Sequence, residues 1–152
     1  MTKSIKKNLE ASIRARLLNI SKDTGENFNA ILNRFFQERF LARLSRSDFK
    51  DFFVLKGGSL LASESISQFR PTIDIDMLAV NVNINVKTVK PMIDSIAQLT
   101  LPDCVIFDTK NITHQVLKED AEYEGIRFIF FVYLGKIKSN MLSFKLVNQY
   151  KK

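Results

Sequence analysis

The sequence predicts a mixed α/β domain with helices flanking a sheet. Three observations carry that expectation. Apolar residues recur every three or four positions over residues 28–44, as on one face of a helix. Apolar and acidic residues alternate over "TIDIDMLAV" (72–80), as on a half-buried strand. Three later runs rich in β-branched and aromatic residues are set apart by charged stretches, which suits further strands.

The elements follow in order. Residues 5–20 read as a weaker, basic helix. Over 28–44 the apolar positions include Phe28, Ile31, Phe35, Phe36, Phe40 and Leu44, and Asn27 is the expected N-cap. "FFVL" (52–55) reads as a short buried strand ended by Gly57 and Gly58, and "SLLASESIS" (59–67) as a short helix. Residues 87–99 form a second amphipathic helix, with Pro91 expected in its first turn. "CVIF" (104–107), "IRFIFFVYL" (126–134) and "NMLSFKLV" (140–147) are expected to be strands. Residues 1–152 are read as one domain, helical over 1–50 and a sheet core over 51–147.

Composition excludes several classes. No apolar run is long enough to span a bilayer, and the basic N-terminus lacks the apolar core of a secretion signal. Cys104 is the single cysteine and His114 the single histidine, which rules out a disulfide framework, a cysteine zinc site and a multi-histidine site. His114 is expected in a helix or loop. A cytoplasmic location is the default. The net charge of +7 is uneven. Residues 1–50 hold 11 Lys+Arg against 5 Asp+Glu, residues 51–135 hold 7 against 11, and residues 136–152 hold 5 against none. Basic ends around an acidic middle suit a protein that meets nucleotides or nucleic acid, and suit equally a set of solvated helix faces with a basic tail.

The informative stretch is the acidic one. Asp74 and Asp76 lie two apart on a predicted strand, so both carboxylates project from one face. Two ionised acids side by side in a half-buried strand are costly, and a divalent cation between them removes that cost. Mg2+ (or Mn2+) is the expected ion, because it takes a few carboxylates and fills its other positions with water or phosphate. The preceding Gly57-Gly58-Ser59 turn offers backbone N–H groups and a hydroxyl suited to phosphate oxygens. Together the two elements point to transfer of a phosphoryl or nucleotidyl group.

"ERFLARLSRSDFKDFFVLKGGSLL" followed by "RPTIDIDML" resembles the AbiE-type (AbiEii/AbiGii) toxin nucleotidyltransferases of the DNA polymerase β-like superfamily, and the resemblance continues through "DCVIFD" and "KEDAEYEGIRFIFFVYLG". It implies a nucleotidyltransferase-like mixed sheet and Mg-dependent transfer of NMP from an NTP to a hydroxyl of an RNA, such as tRNA, or of a protein. It also implies a cognate antitoxin. Residue by residue, it implies metal-binding and catalytic roles for Asp74 and Asp76. It implies nucleotide-binding roles for Gly57, Gly58 and Ser59, with Lys56, Arg70 and Thr72 supporting them near phosphate. Glu119, Asp120, Tyr123 and Gly125 are expected to fix a turn before the next strand. Two departures stand out: Lys145 occupies the position where the superfamily places a third carboxylate, and the family's helical C-terminal region with its further motifs is absent from this sequence. The alternative expectation is therefore a truncated or degenerate, non-catalytic member that keeps only nucleotide or partner binding.

Overall fold

A computed structural model describes residues 3–56, 74–120 and 123–148. Within them run α1 (Lys3–Thr24), α2 (Phe28–Ser45), a 3-10 turn (Lys50–Phe52), β1 (Phe53–Leu55), β2 (Asp74–Ala79), α3 (Val86–Gln98), β3 (Val105–Asp120), β4 (Tyr123–Leu134) and β5 (Ile137–Asn148). The strands form a single mixed sheet in the order β1-β2-β5-β4-β3. β2 and β5 pair parallel, and the other neighbours pair antiparallel. The predicted α/β class is the observed one.

Local chemistry sets the helix boundaries. Gly25 closes α1 with φ +74°, a left-handed conformation that glycine adopts without a Cβ penalty, and its N–H donates to the Ser21 carbonyl at 2.9 Å. Asn27 then caps α2, its Oδ1 accepting from the N–H groups of Asn29 (2.8 Å) and Ala30 (3.3 Å). Asn85 caps α3 in the same way through the Thr88 N–H at 2.8 Å. Pro91 is the sixth residue of α3 and so lies in its second turn, not its first. The ring there removes the bond an N–H would give to the Lys87 carbonyl, and the apolar face of Val89, Ile93 and Ile96, all buried, holds the helix in place regardless.

One face of the sheet is the core. Ile75 and Met77 of β2, Phe144 and Leu146 of β5, and Phe128 and Phe130 of β4 are buried beneath α2 and α3. Phe40 of α2, fully buried, packs its ring 5.5–5.7 Å from those of Phe107, Phe130 and Phe144. Of the phenylalanines on the apolar face of α2, Phe36 and Phe40 are core, and Phe28 and Phe35 pack against it partly buried.

A buried ion pair ties α2 to the entry of β3. Arg43 is 1% exposed, and it grips Asp103 through Nη1–Oδ2 (2.8 Å) and Nη2–Oδ1 (3.0 Å). Its remaining N–H groups donate to the carbonyls of Leu99, Arg39 and Val105, and its guanidinium lies 5.0 Å from the Phe107 ring centre. Arg39 Nε adds a bond to Asp103 at 2.8 Å. Burial works against the Asp103 charge. Hydrogen bonds from Arg43, the Val105 N–H and Arg39 outweigh it and hold the carboxyl below its ordinary value.

Three further expectations change. β3 runs for sixteen residues, well past the "CVIF" segment. Its register to β4 shifts between Asp108 and Thr113, so the positions opposite the buried even-numbered residues of β4 change from odd (Val105, Phe107, both buried) to even (His114, Val116, both exposed). That break in alternation hides the second half of the strand from a period-two reading. His114 consequently sits in a strand opposite Phe128, not in a helix or loop. Gly125 sits inside β4, paired with Leu117 and Val147, so its need is close packing and not a turn: a Cβ there would meet the Leu146 carbonyl oxygen and Val147 Cγ1 at 2.9 Å. The helix expected over 59–67 lies outside the described residues.

Three stability outcomes follow. Arg43→Ala strands the Asp103 carboxylate and should cost about 3–5 kcal/mol in urea unfolding. The same network should weaken as acid is added. The folded pKa of Asp103 is depressed, so its contribution is complete above the unfolded value near ~3.9 and is lost as pH falls through the folded one. Gly125→Ala should destabilise by about 1–3 kcal/mol, because the obstructing atoms include backbone.

Candidate active site

Period-two geometry sorts β2 cleanly. Ile75, Met77 and Ala79 are buried in the core, while Asp74, Asp76 and Leu78 project from the opposite face. Strand register carries that face across the sheet. Asp76 is paired with Lys145 of β5, Lys145 with Arg127 of β4, and Arg127 with Gln115 of β3. One step along β2, Asp74 is paired with Ser143, which is paired with Ile129.

Each acid has its own environment. Asp74 Oδ2 accepts from Arg127 Nη2 at 3.0 Å, with the two side chains 19% and 30% exposed, and Asp74 Oδ1 accepts from the Ser143 hydroxyl. Arg127 Nη1 also reaches Gln115 Oε1 at 3.5 Å. For Asp76, burial is the largest influence and pushes its carboxyl above the ordinary value. The Asp74 charge adds to that push, whereas Lys145, Lys56 and Arg127 act against it.

Lys56 reaches this face from β1. Its N–H donates to the Asp76 carbonyl at 2.8 Å, which extends the β1–β2 ladder beside the acid. The structure therefore brings together Lys56, Asp74, Asp76 and Lys145 among the residues singled out from sequence. Gly57, Gly58, Ser59, Arg70 and Thr72 lie outside the described residues.

Arg127 and Ser143 are the members that sequence reasoning missed. A signal for Arg127 was present. In "IRFIFFVYL" it has the opposite parity to the buried Ile126, Phe128 and Phe130, so it had to face away from the core. Its partner Asp74 could not be named without the strand order.

The donor set suits one hard dication. Two carboxylates on one face, each oxygen of Asp74 keeping a lone pair beyond its present bond, would hold Mg2+ or Mn2+ with water or phosphate oxygens completing the shell. Among the described residues no three His, Cys, Asp or Glu side chains cluster to hold a metal ion. Among the same residues no helix is long and apolar enough to cross a membrane.

A family model described as nucleotidyl transferase AbiEii toxin, Type IV TA system, matches residues 39–142. The match runs from α2 into β5 and includes Lys56, Asp74, Asp76 and Arg127, with Ser143 and Lys145 just beyond it. No curated protein matches the chain.

Asp76→Asn should stabilise the metal-free protein at neutral pH. The folded pKa of Asp76 is raised by burial, so the native state binds this proton more tightly than the unfolded chain does, and stability falls as pH rises through the folded value. Thermal unfolding in chelator should show the variant melting higher than wild type at pH 7, with the difference vanishing below the unfolded carboxylate pKa of about 3.9.

Proposed function

Because the chain belongs to the AbiEii nucleotidyl transferase toxin family of type IV toxin–antitoxin systems, we propose that its open sheet face binds an NTP and transfers the NMP to a hydroxyl of a macromolecule. The observation that carries the reading is the row of Asp74 and Asp76 on a rigid strand, bordered by Lys56 and Lys145. The acceptor is an RNA such as tRNA. The basic balance of residues 1–50 and 136–152 supports a polyanionic acceptor, and a protein hydroxyl is the other outcome of the test. A cognate antitoxin is the partner implied by the family, and the cytoplasm is the compartment in which such a pair would act.

In the transfer, the acceptor oxygen forms a bond to the α-phosphorus while the bond to the bridging oxygen breaks and pyrophosphate leaves. Lys56 and Lys145 offset the charge of the triphosphate as it settles against the sheet. The hydroxyl proton passes to a carboxylate of this face, and Asp76, whose affinity for a proton burial raises, takes it. Arg127 and Ser143 hold Asp74 in one orientation. A magnesium or manganese ion resting on Asp74 and Asp76 would polarise the phosphate and neutralise the leaving charge.

A second reading has its own observation. Lys145 faces Asp76 where an acid would add a ligand, and Arg127 already holds Asp74, which suits a member that binds nucleotide without turning it over. Incubation with α-labelled NTP, Mg2+ and total RNA separates the two. Label joining RNA, with loss of at least about a thousandfold in rate for Asp76→Ala, supports transfer. Saturable NTP binding without label transfer supports the binding-only reading, and absence of both overturns the assignment of this face to nucleotide.

A further inference from the structure

We propose that Lys145, with Arg127 beside it, is the resident cation of the acidic face and fills the place of a second divalent ion. The proposal rests on the reading of Asp74 and Asp76 as the acids that hold an ion.

The argument is one of charge and spacing. Asp74 and Asp76 together bring two negative charges to the face. Arg127 already meets one of them at 3.0 Å, Lys145 stands in direct register with the other, and Lys56 adds a third cation from β1. Of the charges acting on Asp76, that of Lys145 is the strongest. Three cations therefore stand around two acids before any ion arrives. Sites that use two metals keep the ions about 3.5–4 Å apart with carboxylates bridging them. Adjacent strands are about 4.8 Å apart, so the side chain in register with Asp76 reaches the zone in which a second ion would sit. An ammonium there repels a dication and offers it no lone pair. It also cannot leave with the product, as a loosely held ion can.

Lys145 is only part-buried and belongs to a strand whose buried neighbours, Phe144 and Leu146, point the other way. A substitution at this position changes the charge of the open face without touching the core, which makes the ion count testable in the intact protein.

The experiment counts Mn2+ bound to the full chain by electron paramagnetic resonance, with circular dichroism to confirm folding. Lys145→Glu should bind one Mn2+ more than wild type. Lys145→Met should gain no ion but hold the existing one about tenfold tighter or more, since it removes repulsion without adding a ligand. Equal counts in wild type and Lys145→Glu overturn the proposal. If the glutamate variant does not fold, unchanged Mn2+ affinity in Lys145→Met overturns it, and tighter binding upholds it. Binding of labelled NTP, measured in parallel, reports separately on the underlying site. Wild type that takes neither Mn2+ nor NTP sinks that reading, while the difference of one ion between the two chains still decides the role of Lys145.

Discussion

The parallel pairing of β2 with β5 is the constraint on which the open face depends. Asp74 and Asp76 share a side of β2 by the period of the strand alone, but only this pairing, in this register, sets Ser143 against the first and Lys145 against the second. A slip of one residue would turn Phe144 and Leu146, which are completely buried, outward and bring Lys145 into the core. The core thus enforces the polar row. The same hydrophobic energy that stabilises the sheet also fixes which cation stands beside which acid.

Two ionic clusters in the molecule show how surroundings decide the fate of a carboxylate. Asp103 is buried and receives hydrogen bonds from two arginines and a backbone N–H, and it is held ionised. Asp76 is less enclosed, yet its carboxyl moves the other way, because its cations act across space while burial and Asp74 oppose the charge. The first arrangement is saturated by the protein itself and serves to fasten α2 to the start of β3. The second sets two acids side by side on one strand among three cations. That contrast separates a structural ion pair from a candidate site more cleanly than the residue types do.

Much of this could be read from the chain. The helix over 28–44 and its Asn27 cap, the face shared by Asp74 and Asp76, and the later strands all follow from local periodicity, and the structure has them. What escaped had a non-local or irregular cause. The outer half of β3 was invisible because the shift at 108–113 breaks the alternation on which strand recognition rests. Gly125 looked like a turn residue because the close approach of Leu146 and Val147 comes from the next strand of the sheet, β5. Arg43 and Asp103, 60 residues apart, carry no sequence sign of their pairing. Arg127 could be placed on the open face by parity, but its bond to Asp74 depends on strand order, and no local pattern encodes that.

The irregular segment of β3 has a consequence for how copies of this protein meet. β3 lies at the border of the sheet, is sixteen residues long, and exposes Ile106 and Val116. An unbroken ribbon of that length would be a template for another chain to zip onto, the first step towards aggregates. The register shift between Asp108 and Thr113 divides it into two shorter runs, so a straight foreign strand cannot pair with both in one register. What disrupts the pattern within one molecule also makes its border a poorer template for another.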